Sequence, residues 1–539
     1  MAGPHAELAS VTQTARPEAP AAPHRGTRGA ARGGLANMAG SALAGGTGVV
    51  VTWVVARALG AEQAGAFFAA TAAFVLVGGL AKLGTQTGLV YWPARLRATG
   101  QDHLLGACLR TGLIPVAALS GLLAVAMWLA APAIAGLTAD EAPEVIAQHT
   151  TGLRVLAAFL PLQALTDALL TATRGYRAMR PTVMLDRVLR SALQLVLVGA
   201  LGVAALWTTA TLPAFALAWA VPYVPVAVLA AVALRRIHDQ SRVPAAGRRR
   251  AERRRLRRDF WRFTGPRALA SVAQLALQRV DVLLVAALGG LAAAAVYAVA
   301  GRFVVLVQFA NQGISQSVQP RLAEALSTGD RATANDLYQI ATGWLVLVTW
   351  PVNLLVILFA PVYLGLFGEA YVAGVPVVTV LAAAMLVATG CGMVDMVLSM
   401  AGRTSWNLVN VLIALAVTVG LDLLLIPAYG ALGAAIGLAC AMVVNNVLPL
   451  IQVGRAVRLH PFGPGTCVAA LLSVVCFGLL PWVVTALIDL VRPGRTGAGL
   501  SLALAVAVPA FGFGAWLLRA PLALDAFTDR RTRDSRRTS

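Results

Sequence analysis

Apolar residues fill most of this chain in long blocks, broken by short stretches rich in Gly, Pro and Arg. A helix needs about 20 residues to cross a bilayer, and fourteen blocks meet that length. They are roughly 34–57, 64–83, 105–131, 151–173, 182–206, 211–234, 263–288, 291–318, 341–365, 373–399, 405–427, 431–454, 464–488 and 497–519. The pattern predicts an all-α polytopic membrane protein of about 14 transmembrane helices. Residues 1–33 carry no apolar run and read as a disordered cytoplasmic tail. The first block starts too late and runs too long for a cleavable signal peptide, so it reads as an uncleaved anchor.

One hairpin departs from uniform apolarity. From Phe263 to Pro320 two bilayer-length helices meet at a Leu288-Gly289-Gly290 turn, and they carry polar residues throughout. Arg267, Ser271, Gln274, Gln278 and Asp281 recur at helical spacing and share one face. The second helix adds Arg302, Gln308, Asn311, Gln312 and Gln316. A charge at mid-bilayer costs about 2.5–3.5 kcal/mol. The stripe is therefore expected to face a protein-lined, partly wet interior. Asp281 and Arg302 lie at similar depth, so a structural ion pair between them is one expectation.

Arginines after the even-numbered spans set the orientation. They include Arg95 and Arg97; Arg174, Arg177 and Arg180; the run from Arg235 to Arg258; Arg321 and Arg331; and Arg455 and Arg458. The outer loops hold few cations, Arg492 and Arg495 excepted. The positive-inside rule then puts both termini in the cytoplasm. The run from Arg235 to Arg258 reads as a basic linker (235–262) between two halves, with anionic lipid head groups as partners of Arg248 to Arg258.

Composition agrees. The chain is 58% hydrophobic and 12% charged, against about 25% charged in soluble domains. Its net charge of +20 sits in loops between spans, which argues for topology rather than nucleic acid. The five cysteines have no C-x-x-C spacing and the six histidines no zinc-site spacing. No metal or cofactor is expected, and no Walker motif is present. The longest outer loop is too small for a catalytic domain, so no enzyme is expected.

The chain reads as duplicated. Leu59-Gly60 matches Leu288-Gly289 at an offset of 229, the difference of 288 and 59, which also aligns Phe68 with Tyr297, Phe74 with Phe303 and Gly84 with Gly313. Six spans separate the matched points. Both halves then enter the membrane in one direction, as two six-helix bundles around a central site. The expected units are an N-lobe at 34–234, a C-lobe at 263–458, an extra helix pair at 459–520 and a basic cytoplasmic tail at 521–539.

Three stretches resemble a known family. Ala58-Leu59-Gly60-Ala61-Glu62-Gln63-Ala64-Gly65 is similar to the first external turn of bacterial polysaccharide exporters. Arg279-Val280-Asp281-Val282-Leu283-Leu284 with Tyr297-Ala298-Val299-Ala300 resembles their seventh and eighth helices, and Ile426-Pro427-Ala428-Tyr429-Gly430-Ala431-Leu432-Gly433 the turn between their eleventh and twelfth. The family is the multidrug/oligosaccharidyl-lipid/polysaccharide exporter superfamily, in its polysaccharide-flippase branch. The resemblance implies a two-lobed, V-shaped flippase in the bacterial plasma membrane. Its cargo would be a lipid-linked oligosaccharide, a polyprenyl-pyrophosphate glycan used for cell-surface polysaccharide. It makes a polysaccharide polymerase and glycosyltransferases candidate partners.

On this reading the substrate-binding residues are Arg279, Arg302, Gln274, Gln278, Asp281, Gln308, Asn311, Gln312 and Lys82. Lys82 stands near the cytoplasmic end of the second span. The first span has no cation before Arg57, a departure from the lipid II flippase. Asp167 is expected to pair with Arg187 or Arg190, and Asp395 or Asp422 to couple transport to protons or sodium. The competing reading is an ion-coupled drug antiporter of the same fold. It would favour cavity carboxylates, and the first two spans hold none.

Overall fold

A computed structural model describes residues 25–138, 142–240, 250–491 and 496–524. The N-terminal tail up to His24, Asp140, Glu141, Arg242 to Arg249, Arg492, Arg495 and the tail from Asp525 lie outside the described residues.

Helices account for nearly all of the described chain. The N-lobe holds α1 (Arg25–Ala81), α2 (Thr85–Ala98), α3 (Leu105–Gly136), α4 (Pro143–Gly175), α5 (Ser191–Ala204), α6 (Leu212–Ala220) and α7 (Tyr223–Gln240). A π-helical stretch, Thr182–Arg190, leads into α5. The C-lobe holds α8 (Arg250–Leu288), α9 (Leu291–Ala300), α10 (Val304–Ser327), α11 (Arg331–Leu358), α12 (Ala360–Gly365), α13 (Val375–Gly390), α14 (Val394–Met400), α15 (Thr404–Tyr429) and α16 (Ala431–Ala456). The final elements are α17 (Pro464–Val474), α18 (Leu480–Val491) and α19 (Thr496–Leu517).

Twelve helical segments among the described residues are long and apolar enough to cross a membrane. The first of them, Gly40–Ala81, spans 42 residues and contains two crossings. Gly60 divides it with φ 74° and ψ 177°, a conformation that strains any side chain. Residues Ser501–Leu517 add a shorter apolar helix. The chain is thus an all-α, multi-pass membrane protein. Large apolar side chains such as Leu122, Val125, Trp128 and Leu129 on α3 are exposed, as a lipid-facing surface requires.

Two boundaries differ from the sequence reading. Helix α1 begins at Arg25, inside the expected tail. The described part of the basic linker is helical too. Helix α7 continues to Gln240, and Arg250 to Arg262 form the first turns of α8.

The duplicated turns agree in backbone shape with a shift of one residue. Gly60 is matched by Gly290 at φ 87° and ψ 164°. The conformational equivalent is therefore Gly290 rather than Gly289, because the second turn contains one more glycine.

The lobes meet along a seam of glycines on α1 and α2. A Cβ on Gly65 would lie 1.8 Å from the Leu291 carbonyl oxygen, and one on Gly45 2.1 Å from the Phe309 ring. Nearer the other end, Gly79 faces Leu275 at 1.8 Å, Gly84 the Ala268 backbone at 2.6 Å, and Gly88 the Thr264 hydroxyl at 2.4 Å. Small residues let membrane helices approach closely where no hydrophobic force separates protein from lipid. Tyr91 stacks on Phe263 beyond the seam, with ring centroids 4.3 Å apart. One apolar cluster is continuous across both lobes at the Gly60 end, from Phe67, Phe68 and Phe74 to Leu291, Phe303 and Tyr371, and extends through the N-lobe as far as Leu89 and Phe260. A second cluster, around Leu322, Tyr338 and Val397, fills the opposite end of the C-lobe.

Between those clusters the tenth crossing is broken. Helix α13 stops at Gly390 and α14 starts at Val394, with Gly392 left-handed at φ 73°. A Cβ at Gly392 would sit 2.2 Å from the Thr342 hydroxyl, so only glycine fits. Tyr338 donates to the freed Cys391 carbonyl at 2.7 Å.

Candidate functional site

The break opens on a cavity of about 430 Å³ inside the C-lobe. Helix α8 contributes Gln274, Gln278, Arg279 and Asp281; α9 and the turn after it contribute Tyr297 and Arg302; α10 contributes Gln308 and Asn311. Thr389, Gly392 and Asp395 come from the broken crossing, and Asn445 and Asn446 from α16. Seven of the nine substrate-binding candidates therefore share one chamber. Helical periodicity explains the α8 set, since Gln274, Gln278 and Asp281 fall on one face.

Two candidates are elsewhere. Gln312 is exposed and does not line the chamber. Lys82 belongs to the N-lobe, where its ammonium is bonded to the Asp167 carboxylate. The shared-face expectation also stops short at Arg267, in the middle of α8. Arg267 is exposed, with its guanidinium 3.9 Å over the Phe263 ring and donating to the Phe263 carbonyl.

The ion pair expected between Asp281 and Arg302 is not formed. Asp281 is buried, accepts a hydrogen bond from the Tyr297 hydroxyl, and accepts another from the Val282 N–H at 2.9 Å. Tyr297 lies on the facing helix one turn nearer the Gly290 bend than Arg302, and so intercepts the acid. Arg302 instead holds its guanidinium 5.8 Å over the Phe68 ring of the N-lobe. The buried Nε atoms of both Arg279 and Arg302 have no hydrogen-bond partner among the described residues, and the two guanidinium groups are close enough to repel each other. Asp395 also lines the chamber, with no side-chain partner among the described residues.

The expected partners of Asp167 change as well. Arg190 bonds to Asp186 at 2.8 Å, one helical turn away, and Arg187 donates to the Ser41 hydroxyl of α1. The acid left over, Asp167, meets Lys82 across 85 positions of sequence. Asp422, on α15, is fully buried with both carboxylate oxygens unpartnered among the described residues, and Gly437 on α16 leaves room for it. No group of three or more metal-ligating side chains occurs among the described residues.

Sequence reasoning misses Asn445, Asn446 and Tyr297. The adjacent asparagines inside the apolar run 431–454 carry the available signal, because amides in a membrane span face protein or water.

A cation-bearing chamber between helices of a multi-pass bundle, beside a broken crossing, is the arrangement expected of a membrane transporter. Residues 30–326 match the family described as "Polysaccharide biosynthesis protein", more than half of the chain, and the protein belongs to that family. Residues 266–424 also match the MatE family. No curated protein sequence matches the chain. Among solved structures, the lipid II flippase MurJ in an inward closed conformation aligns over 89% of this chain and 98% of its own, at 11% identity and a TM-score of 0.67. An inward-facing multidrug resistance MATE transporter of the MOP superfamily aligns over 77% and 93%, at 16% identity and 0.59. A MOP superfamily transporter from Pyrococcus furiosus, whose binding pocket is described as reversed in polarity, aligns over 78% and 94%, at 17% and 0.52. At such identities the likeness establishes the fold: this is a MOP-type transporter fold, and these neighbours are transporters and flippases rather than enzymes.

Proposed function

We propose that the protein carries a polyprenyl-diphosphate-linked oligosaccharide from the inner to the outer leaflet of a bacterial plasma membrane, by alternating access, for assembly of a cell-surface polysaccharide. One observation carries this reading: Arg279 and Arg302 open on a single chamber, each with a buried donor left over. A diphosphate crossing a low-dielectric layer needs fixed cations, and paired guanidinium donors suit its oxygens. Gln274, Gln278, Gln308, Asn311, Asn445 and Asn446 supply amides for sugar hydroxyls without selecting one sugar. A lipid II-type cargo shares the diphosphate chemistry.

The arginine distribution supports cytoplasmic termini and Gly60 and Gly290 turns at the outer face. The basic start of α8 then lies at the inner head-group level, where each cation contributes about 1 kcal/mol of attraction to anionic lipid. Asp422, buried without a partner, is suited to take up and release the coupling proton or cation.

The test is deletion of the gene followed by complementation. Deletion should leave the lipid-linked glycan in the inner leaflet, and Arg302→Gln at normal protein level should fail to restore export. Full export by that variant sinks the proposal. A second reading, export of a cationic drug, draws on the unpartnered Asp395 in the same chamber and on the MatE match. Altered drug tolerance with no accumulated glycan would favour it.

A further inference from the structure

The N-lobe holds a second concentration of charge, separate from the chamber. Helix α4 lines up Gln163, Asp167, Thr171 and Arg174 on one face, at spacings of four, four and three. The π-helical stretch brings Asp186 and Arg187 near Arg174, and Lys82, just past the end of α1, meets Asp167 there. The wider winding of a π-helix is uncommon and recurs at functional sites. Here it sets Arg187 beside Gly40 and Ser41, where a Cβ on Gly40 would lie 3.3 Å from the Arg187 Cβ.

The charges do not cancel. Lys82 is matched by Asp167, and Arg190 by Asp186. Arg174 and Arg187 remain without a carboxylate in ion-pair contact among the described residues; Asp167 and Asp186 lie near Arg174 and offset part of its repulsion from Arg187, but two carboxylates face four cations. Arg174 donates to the Thr171 hydroxyl at 2.8 Å, and Arg187 to the Ser41 hydroxyl. The Nε of each is buried and unpartnered, as is the side-chain carbonyl oxygen of Gln163. Two surplus cations with idle donors inside a membrane lobe are unfavourable unless an anion joins them.

Depth separates this cluster from the chamber. Lys82 lies 22 residues from Gly60 and Arg302 lies 12 from Gly290, about 33 and 18 Å along their helices at 1.5 Å per residue. The N-lobe cluster is thus about 15 Å nearer the basic end of the bundle.

We infer that Arg174 and Arg187 form a second anion site, taking a phosphate or diphosphate group at the depth of the leaflet next to the basic end. The group is either the diphosphate of a polyprenyl-linked cargo before it reaches Arg279 and Arg302, or the phosphate of a bulk phospholipid. The phosphate chemistry stands without the export reading; only its assignment to a cargo rests on that reading.

The test uses the full chain in phosphatidylcholine nanodiscs, titrated with farnesyl diphosphate by calorimetry. Two classes of site are expected. The Arg174→Gln/Arg187→Gln variant should weaken one class at least about tenfold, the scale of lost charged hydrogen bonds. Arg302→Gln should weaken the other, so the two readings fail separately. The double lysine variant, which keeps both charges, should retain binding, whereas a purely structural role would give no such rescue. Loss of one class on adding phosphatidylglycerol assigns the site to phospholipid; persistence assigns it to the lipid diphosphate. Because the glutamine variant can misfold, protection of Arg174 and Arg187 in the wild-type protein from phenylglyoxal by farnesyl diphosphate, read by mass spectrometry, is measured in parallel. A folded glutamine variant that keeps both classes overturns the inference, as does the absence of protection.

Discussion

Tyr297 donates its hydroxyl hydrogen bond to Asp281 across the α8–α9 hairpin, and that one contact releases Arg302 from the acid facing it. Asp281 is satisfied within the hairpin, while Arg302 reaches toward Phe68 of the other lobe. Tyr297→Phe should return Asp281 to Arg302. The thermal midpoint should fall by the equivalent of at most about 1 kcal/mol, since the ion pair with Arg302 replaces the lost hydrogen bond. Asp281→Asn added to Tyr297→Phe should recover transport that Tyr297→Phe alone reduces. Full transport by Tyr297→Phe alone would show that the contact does not protect Arg302.

Arg279 and Arg302 should act jointly on the anion. Each single glutamine variant is expected to weaken diphosphate binding about ten- to hundredfold, the scale of a lost charge-assisted hydrogen bond. The double variant should fall short of the product, because removing one cation relieves its repulsion of the other. Calorimetric titration in nanodiscs measures both, and strict additivity would show that the two guanidinium groups do not share the ligand.

The Lys82–Asp167 pair is largely buried on both sides, at 15% and 26% exposure. Removing one partner strands a charge in the N-lobe, so Lys82→Met or Asp167→Asn should each destabilise by about 3–5 kcal/mol. The exchanged pair, Lys82→Asp with Asp167→Lys, should restore most of that loss in thermal unfolding.

Gly65 has no room for a side chain. A Cβ there meets the Leu291 carbonyl at 1.8 Å, and backbone cannot rotate aside as a side chain can. Gly65→Val should hold the lobes apart at the Gly60 end. Spin labels at Glu62 and Ala292 should show a longer distance than in the wild type. Phe263→Ala, which removes the stack with Tyr91, should lengthen the distance between labels at Arg95 and Arg262 instead. Equal shifts at both ends in either variant would count against two separable closures.

Much of the fold is legible in the sequence because lipid imposes a simple rule: apolar stretches of bilayer length become helices. Even the bend at Gly60, inside an otherwise unbroken helix, is marked by Leu59-Gly60 and its repeat. The α8 part of the chamber is legible for the same reason, since period 3.6 assigns Gln274, Gln278 and Asp281 to one face. Periodicity does not say which neighbour a face meets. Depth alone therefore assigns Asp281 to Arg302 rather than Tyr297, and the family resemblance that offers Lys82 to the cargo does not reveal its contact with Asp167. The break at Gly392 is hidden as well. Its glycine sits in an apolar run that reads as continuous helix, and only Tyr338 and Thr342, from another crossing, show why the chain stops there.

The glycine seam sets how readily the lobes can part. Gly45, Gly65, Gly79, Gly84 and Gly88 have no rotamers to freeze on contact and none to release on separation. Dispersion between a bare backbone and its neighbour is small per atom pair and vanishes over a fraction of an ångström. A joint built this way is short-ranged and shallow: it defines a closed position sharply, yet a modest gain in binding free energy elsewhere is enough to undo it.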